Sequence, residues 1–370
     1  MIKVREIDKP LILAMMTLVA IGFVMVYSTS YIMAMKRYGN EYFFVKKHLM
    51  FIALGFLLFF IAANVEYRLY QRWVYLIFSI SLVSLLMLTF IHGIGNEVSG
   101  ARRWIKLGPL TLQPSEPAKL AVIVYMAYYL AAKKDKLKKF SIGIIPPMIM
   151  SGLIIALILK EPDFGTAISL GAIVVILMFI AGVRLRHLFS ILIAVLPFLY
   201  LLVTRVDYRM KRVLTFLDPW RDSGGAGFQL VQSLIAFGAG GIWGVGLGEG
   251  KQKLFYLPEA HTDFILSVIG EELGLIGVSA LIILYLIILI SGIRISFKAT
   301  DLFGQYLAIG ITLLIVLQAS VNMAVVLALL PTKGLTLPFI SYGGTSLVVN
   351  MIGMGILLNI YKNREVEGGR

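Results

Sequence analysis

Runs of about twenty apolar residues recur along this chain from one end to the other, broken only by short charged or Gly/Pro clusters. A helix rises about 1.5 Å per residue, so each run is long enough to cross the ~30 Å hydrocarbon core of a bilayer. Ten such segments can be marked: 11–31, 48–65, 73–91, 116–132, 142–159, 166–182, 187–203, 264–292, 304–330 and 343–361. A helix satisfies its own backbone in lipid. The expected fold class is therefore an all-α polytopic integral membrane protein with about ten transmembrane helices, one domain over residues 1–370. Only 15% of the residues are charged, against about 25% in soluble domains, which excludes disorder and argues against a soluble fold. The first run, 11–31, exceeds the h-region of a secretory signal, about 7–15 residues, and reads as a retained span.

Charge placement sets the expected orientation. An even number of crossings puts both termini on one side. The basic ends (Lys3, Arg5 and Lys9; Lys362, Arg364 and Arg370) and the five lysines of 133–139 mark that side as cytoplasmic. Of thirty-four Lys and Arg, sixteen then fall outside, seven of them in a long extracytoplasmic loop, 204–262, between spans seven and eight. A net charge of +14 in a soluble protein would suggest nucleic acid; in a membrane protein it points to lipid, and no nucleic-acid partner is expected. Headgroup anchoring and binding of a polyanionic lipid fit the basic outer face equally well. The chain has no cysteine, which removes disulfides, thiolate zinc sites and cysteine nucleophiles.

Ionisable residues near a span are costly and therefore candidates for function. Four clusters stand out, all on the expected outer side. The first holds Arg102, Arg103, Trp104 and Lys106, followed by Ser115, Glu116 and Lys119. Ser115 is a candidate N-cap, and Glu116 and Lys119, three residues apart on one helix face, can pair. A purely structural reading makes Trp104 an interfacial aromatic and the arginines headgroup anchors. The second cluster contains Asp163, which suits a helix cap better than a second site carboxylate. The third is the glycine-rich loop ending in His261-Thr262-Asp263, with Glu271 and Glu272 two turns on; Asp263 is either an N-cap or a functional carboxylate. Its Gly244-Val245-Gly246-Leu247-Gly248 lacks the surrounding βαβ unit of a dinucleotide fingerprint. In the fourth, Pro331 and Pro338 break the helical pattern around Lys333.

Six motifs recur within these clusters: Gly100-Ala101-Arg102-Arg103-Trp104-Ile105, Gln113-Pro114-Ser115-Glu116, Glu161-Pro162-Asp163-Phe164-Gly165-Thr166, Leu257-Pro258-Glu259-Ala260-His261-Thr262-Asp263-Phe264-Ile265, Gly270-Glu271-Glu272-Leu273-Gly274 and Ile340-Ser341-Tyr342-Gly343-Gly344. On them the chain resembles the SEDS (FtsW/RodA) family of bacterial envelope proteins over essentially its whole length. The stretches 258–263, 269–272 and 331–338 look more like the division branch than the elongation branch, and the sporulation branch is similar there.

The resemblance implies a ten-span peptidoglycan glycosyltransferase of the bacterial cytoplasmic membrane. It would polymerise lipid II at the outer face beside a class B penicillin-binding protein and other divisome or elongation membrane proteins. It places the general base of an inverting displacement at Asp263. Arg102, Arg103, Trp104, Lys106, Lys333, His261, Thr262 and Ser341 are then expected on the substrate, with Glu116, Lys119 and Asp163 in support. A divalent cation, Mg or Mn, bridging pyrophosphate and a carboxylate such as Asp163 is left open. Two other functions compete: a lipid II flippase, which would need a polar route through the midplane where only Gln318, Asn322 and Asn350 are on offer, and a non-catalytic scaffold.

Overall fold

The structure, a computed structural model, describes residues 7–91, 95–98, 101–108 and 110–364. In chain order the helices are α1 (Lys9–Tyr38), α2 (Phe43–Asn64), the short α3 (Arg68–Arg72), α4 (Val74–Phe90), α5 (Ser115–Ala132), the short α6 (Phe140–Gly143), α7 (Ile145–Lys160), α8 (Phe164–Ile180), α9 (Leu185–Thr204), α10 (Asp207–Leu217), α11 (Phe228–Gly240), α12 (Ile265–Phe297), α13 (Leu302–Val326) and α14 (Gly344–Lys362). A helix stands at each of the ten marked segments. Among the described residues, seven helices are long and apolar enough to cross a membrane by length and composition, while α4 and α8 are apolar but shorter.

Local chemistry sets several boundaries. Asp8 caps α1 by accepting from the Leu11 amide at 3.1 Å, and Gly39 ends it in the left-handed region at φ 64°. Asp301 caps α13 through the Gly304 amide at 2.7 Å. Inside the bundle α14 is the most enclosed span and α9 the barest. Glycines let backbones approach where lipid tails give helices no hydrophobic reason to associate. A Cβ at Gly344 would collide with the Phe51 ring of α2, and one at Gly292 of α12 would collide with Thr312 of α13.

Two features go beyond the helical expectation. The first is a small antiparallel sheet of β1 (Gly95–Val98), β2 (Ala101–Leu107) and β3 (Leu110–Leu112), in spatial order β1-β2-β3. It displays the Arg-Arg-Trp-Ile-Lys run on a strand, where neighbouring side chains alternate between faces. The second concerns the long loop, which folds into α10, α11 and a further helical turn at 252–256 instead of running open.

Helix α12 is broken at Gly274 (φ 64°, ψ −161°). The loop after α11 supplies the missing partners. Leu275 and Ile276 donate their amides to the Gly241 and Ile242 carbonyls at 2.9 and 3.3 Å, while Val245 and Gly246 donate to the Glu271 and Glu272 carbonyls at 2.9 and 3.1 Å. The Glu271 carboxylate accepts the Lys251 and Gln252 amides at 2.9 and 3.2 Å, fixing the loop to the N-terminal part of α12.

Candidate active site

The turn before α12 is organised by Glu259, whose φ of 55° lies in the left-handed region. Its carbonyl accepts the Thr262 and Phe264 amides at 3.1 and 3.2 Å, and its carboxylate accepts the Thr262 hydroxyl at 2.7 Å. Asn322 of α13 donates to the Asp263 carbonyl at 2.8 Å and to the Leu335 carbonyl at 2.6 Å. Asp263 is thus held by its main chain. Its carboxylate makes no hydrogen bond among the described residues, and it does not cap α12, whose boundary residue is Phe264.

That carboxylate lines a cavity of about 870 Å³. Burial pushes Asp263 up to about 7, the charges of Glu259 and Asp163 add to the shift, and Arg212 and Arg103 oppose it. A carboxylate so poised is partly ionised near neutral pH and basic enough to take a proton.

The cationic side of the cavity is knitted to the α7–α8 connection and the 331–335 segment. Arg103 donates Nε to the Glu161 carbonyl at 2.9 Å and Nη2 to the Pro162 carbonyl at 2.6 Å. Arg103, expected on the substrate, lines the cavity, and two of its donors brace this connection. Arg212 donates to the Thr332 carbonyl at 2.9 Å, and the Arg209 guanidinium lies 5.2 Å from the Phe164 ring centre. The Lys333 stem packs against Gly165; burial lowers its pKa, and among the described residues it has no ion pair. Lys106 and Trp104 of β2 also face the cavity. Arg102 lies on β2, with its side chain outside the described residues.

Asp163 is the helix cap it was expected to be, accepting the Thr166 amide at 3.1 Å and its hydroxyl at 2.8 Å, and it still lines the cavity. Glu116 and Lys119 pair at 2.9 Å, with Glu116 on the cavity wall and Lys119 behind it, bonded at 2.9 Å to the Gln318 amide oxygen. Two expectations need correction. Ser115 is not the N-cap of α5 but its first helical residue, and its buried hydroxyl has no partner among the described residues. Ser341 does not reach the cavity: it is buried, and its hydroxyl oxygen accepts the Leu337 amide at 2.8 Å because Pro338 forces a turn there.

His261 and Thr262 line the cavity, and burial pushes the His261 imidazole down. His261 sits in an aromatic group with Phe44 (4.9 Å) and Tyr342 (5.8 Å). Sequence reasoning missed Glu259, Arg209, Arg212, Tyr38, Phe43, Phe44 and Tyr342 as wall residues. The basic amphipathic stretch 207–217 carried a signal for the arginines; the aromatics look like ordinary interfacial residues. Among the described residues no group of three His, Cys, Asp or Glu could hold a metal ion.

A family model described as "Cell cycle protein", covering FtsW, RodA and SpoVE, matches residues 9–366. Over 358 residues the chain is 47% identical to a protein of Geobacter metallireducens named "Probable peptidoglycan glycosyltransferase FtsW", covering 97% of this chain and 95% of that one. A Geobacter sulfurreducens protein of the same name is 48% identical, covering 97% of this chain and 96% of its own length. A solved structure titled "Structural coordination of polymerization and crosslinking by a peptidoglycan synthase complex" superposes with a TM-score of 0.79 at 31% identity, covering 97% of this chain and 98% of that one. With a family match from residue 9 to residue 366 and relatives of this similarity, the chain belongs to the FtsW/RodA/SpoVE family, the SEDS family that its motifs resemble.

Proposed function

We propose that this protein is a peptidoglycan glycosyltransferase that polymerises lipid II into glycan strands, in cell division. The observation that carries the reading is the Asp263 carboxylate, without a hydrogen bond among the described residues and ionisable near neutral pH, in a cavity lined by Lys47, Arg103, Lys106, Arg209, Arg212 and Lys333. The relatives' names support the activity and the division role.

The chemistry follows from the charges. The 4-hydroxyl oxygen of the acceptor sugar attacks the donor's anomeric carbon, forming the new C–O bond. Asp263 takes the hydroxyl proton. The bond from the anomeric carbon to the pyrophosphate oxygen breaks, and its electron pair leaves with undecaprenyl pyrophosphate. An α-linked donor gives a β-linked product in one inversion, with no covalent intermediate. Negative charge grows on the leaving oxygen, where Lys333, Lys106, Arg209 and Arg212 supply preorganised positive charge. With no three-ligand cluster among the described residues, Mg or Mn would have to be carried largely by the pyrophosphate itself, and no step here runs through it.

The reading places the protein in the bacterial cytoplasmic membrane, with both termini cytoplasmic and the cavity outside, where lipid II headgroups are exposed. Its partner is a class B penicillin-binding protein, supported by the resemblance to a synthase complex that couples polymerisation and crosslinking. A flippase is less well supported, because Gln318 and Asn322 are spent bracing the site instead of lining a route. The test is polymerisation of purified lipid II by the reconstituted protein, with and without its cognate penicillin-binding protein. Wild type should make long glycan, and Asp263→Asn should bind lipid II and make none. Equal polymerisation by both would remove Asp263 from the chemistry, and absence of product under every pairing would overturn the polymerase reading.

A further inference from the structure

The base and the buried cation Lys333 sit on pieces of chain far apart in sequence. Asp263 lies in the turn closed by Glu259, while Lys333 stands in the irregular segment between α13 and α14. The two pieces nevertheless meet, since a Cβ at Gly334 would stand 3.0 Å from the Asp263 Oδ2. Asn322, buried on α13, bonds to both. Its Nδ2 donates to the Asp263 carbonyl at 2.8 Å and to the Leu335 carbonyl at 2.6 Å, and the Leu335 amide donates back to the Lys333 carbonyl at 3.1 Å. Both acceptors are carbonyls, so the side chain between them must present two N–H groups, as an asparagine amide does. One turn earlier on the same face of α13, Gln318 donates to the Thr336 carbonyl at 2.9 Å. From α10, Arg212 donates to the Thr332 carbonyl at 2.9 Å. The segment is thus held at three points, and Asn322 adds the bond to the residue of the base itself.

We propose that Asn322 is a positioning residue for the transfer, a strap that sets the gap between the Asp263 carboxylate and the Lys333 turn. The proposal rests on the polymerase reading above. In an inverting displacement the acceptor hydroxyl loses its proton as the pyrophosphate oxygen departs, so base and cation act in one step on groups at opposite sides of the reacting carbon. Their separation must match the substrate, and an error near 1 Å costs about 10²-fold. Asn322 does not line the cavity, so its loss should spare binding and slow the chemistry. Asn359 of α14 supplies a matched control. It is equally buried, holds the Ala63 carbonyl at 3.1 Å and the Tyr67 amide at 2.9 Å, and lies away from the cavity.

The experiment uses the full chain reconstituted with its penicillin-binding protein and natural lipid II. Asn322→Ser is too short to reach both carbonyls and leaves room for a water, so it removes the strap without stranding them; Asn322→Leu removes it without a water. The kcat is taken per folded chain on the alkaline plateau of the pH profile, and lipid II affinity is measured in the Asp263→Asn background, where no turnover intervenes. Asn322→Ser should lower kcat at least about tenfold and leave the Kd for lipid II within about twofold. Its acid limb should move to lower pH, because a slackened turn admits water to a carboxylate that burial had raised. The charged groups facing that carboxylate stay in place: Glu259 of its own turn, Asp163 of the α7–α8 connection, Arg212 of α10 and Arg103 of β2. Asn359→Leu should lower the melting temperature and leave both kcat per folded chain and the acid limb at wild-type values. A kcat within about twofold of wild type in Asn322→Ser, an unmoved acid limb, a Kd that weakens as much as kcat falls, or the same changes in Asn359→Leu would make Asn322 a packing residue and end the proposal. Failure of the polymerase reading looks different, since wild type would then make no product from natural lipid II.

Discussion

Lys253 and Glu272 form an ion pair at 2.7 Å whose side chains are almost wholly enclosed, the lysine in the loop turn before α12 and the glutamate in the N-terminal part of α12. The lysine also donates to the Gly248 carbonyl at 2.6 Å and to the Ser28 hydroxyl at 3.1 Å, so loop, α12 and α1 share one ammonium. Removing one partner of a buried pair leaves an uncompensated charge and costs about 3–5 kcal/mol. Lys253→Met should therefore lower the unfolding midpoint in detergent sharply, and adding Glu272→Gln should recover most of the loss. An unchanged midpoint for Lys253→Met would mean the pair contributes nothing to stability.

The ionisation of Asp263 predicts a pH profile. A general base works only when deprotonated, and burial has pushed this one up to about 7. Polymerisation should therefore fall about tenfold per pH unit below that value and level off above it. Glu259→Gln removes a neighbouring negative charge that raises Asp263, so the acid limb should move to lower pH. A limb that stays in place in the variant would show that Glu259 does not tune the base.

Gly334 lies against the same carboxylate, and a Cβ there would stand 3.0 Å from the Asp263 Oδ2. Gly334→Ala should shift the base by a few tenths of an ångström without unfolding the chain, lowering kcat by less than the about 10²-fold that a misplacement near 1 Å costs. The check is kcat beside the melting temperature. Full activity at normal stability would mean that the carboxylate has room to move.

Glu161 is buried with neither carboxylate oxygen hydrogen-bonded. Burial, with the charge of Asp163 adding and Arg103 opposing, pushes it up to about 8. The folded state then holds a proton that the unfolded chain, with a Glu pKa of about 4.3, gives up. Stability from this group is full below about 4.3 and declines as pH rises to about 8. Glu161→Gln, uncharged and similar in shape, should flatten that slope in pH-dependent unfolding. A slope equal to wild type would assign the decline to other groups.

Much of this was legible in sequence wherever the determinant is local. A bilayer-crossing helix shows its length as an apolar run, so each marked segment falls on a helix within several residues. The Glu116–Lys119 pair and the Asp163 cap follow from spacings of three residues, which fix geometry without knowledge of the rest of the fold. What could not be read depends on distant partners. Ser341 is drawn inward by an amide four residues before it across a proline turn. Arg103 is claimed by carbonyls 58 and 59 residues further on. Asp263 resembles a cap by position, and only the bond from Asn322 and the turn closed by Glu259 show its main chain held with the carboxylate on the cavity wall instead.

The break at Gly274 separates the membrane from the chemistry. From Leu275 to Phe297 the helix is 23 residues long, enough by itself to span the hydrocarbon core. Helices answer a change in bilayer thickness by tilting, and an unbroken rod would carry that tilt to Asp263. Here the rod ends at a glycine, and the half beyond it is tied to α1 and the α11 loop instead. Tilt of the span therefore reaches the base only through the loop after α11, which bonds to both sides of the break, and not along a continuous rod.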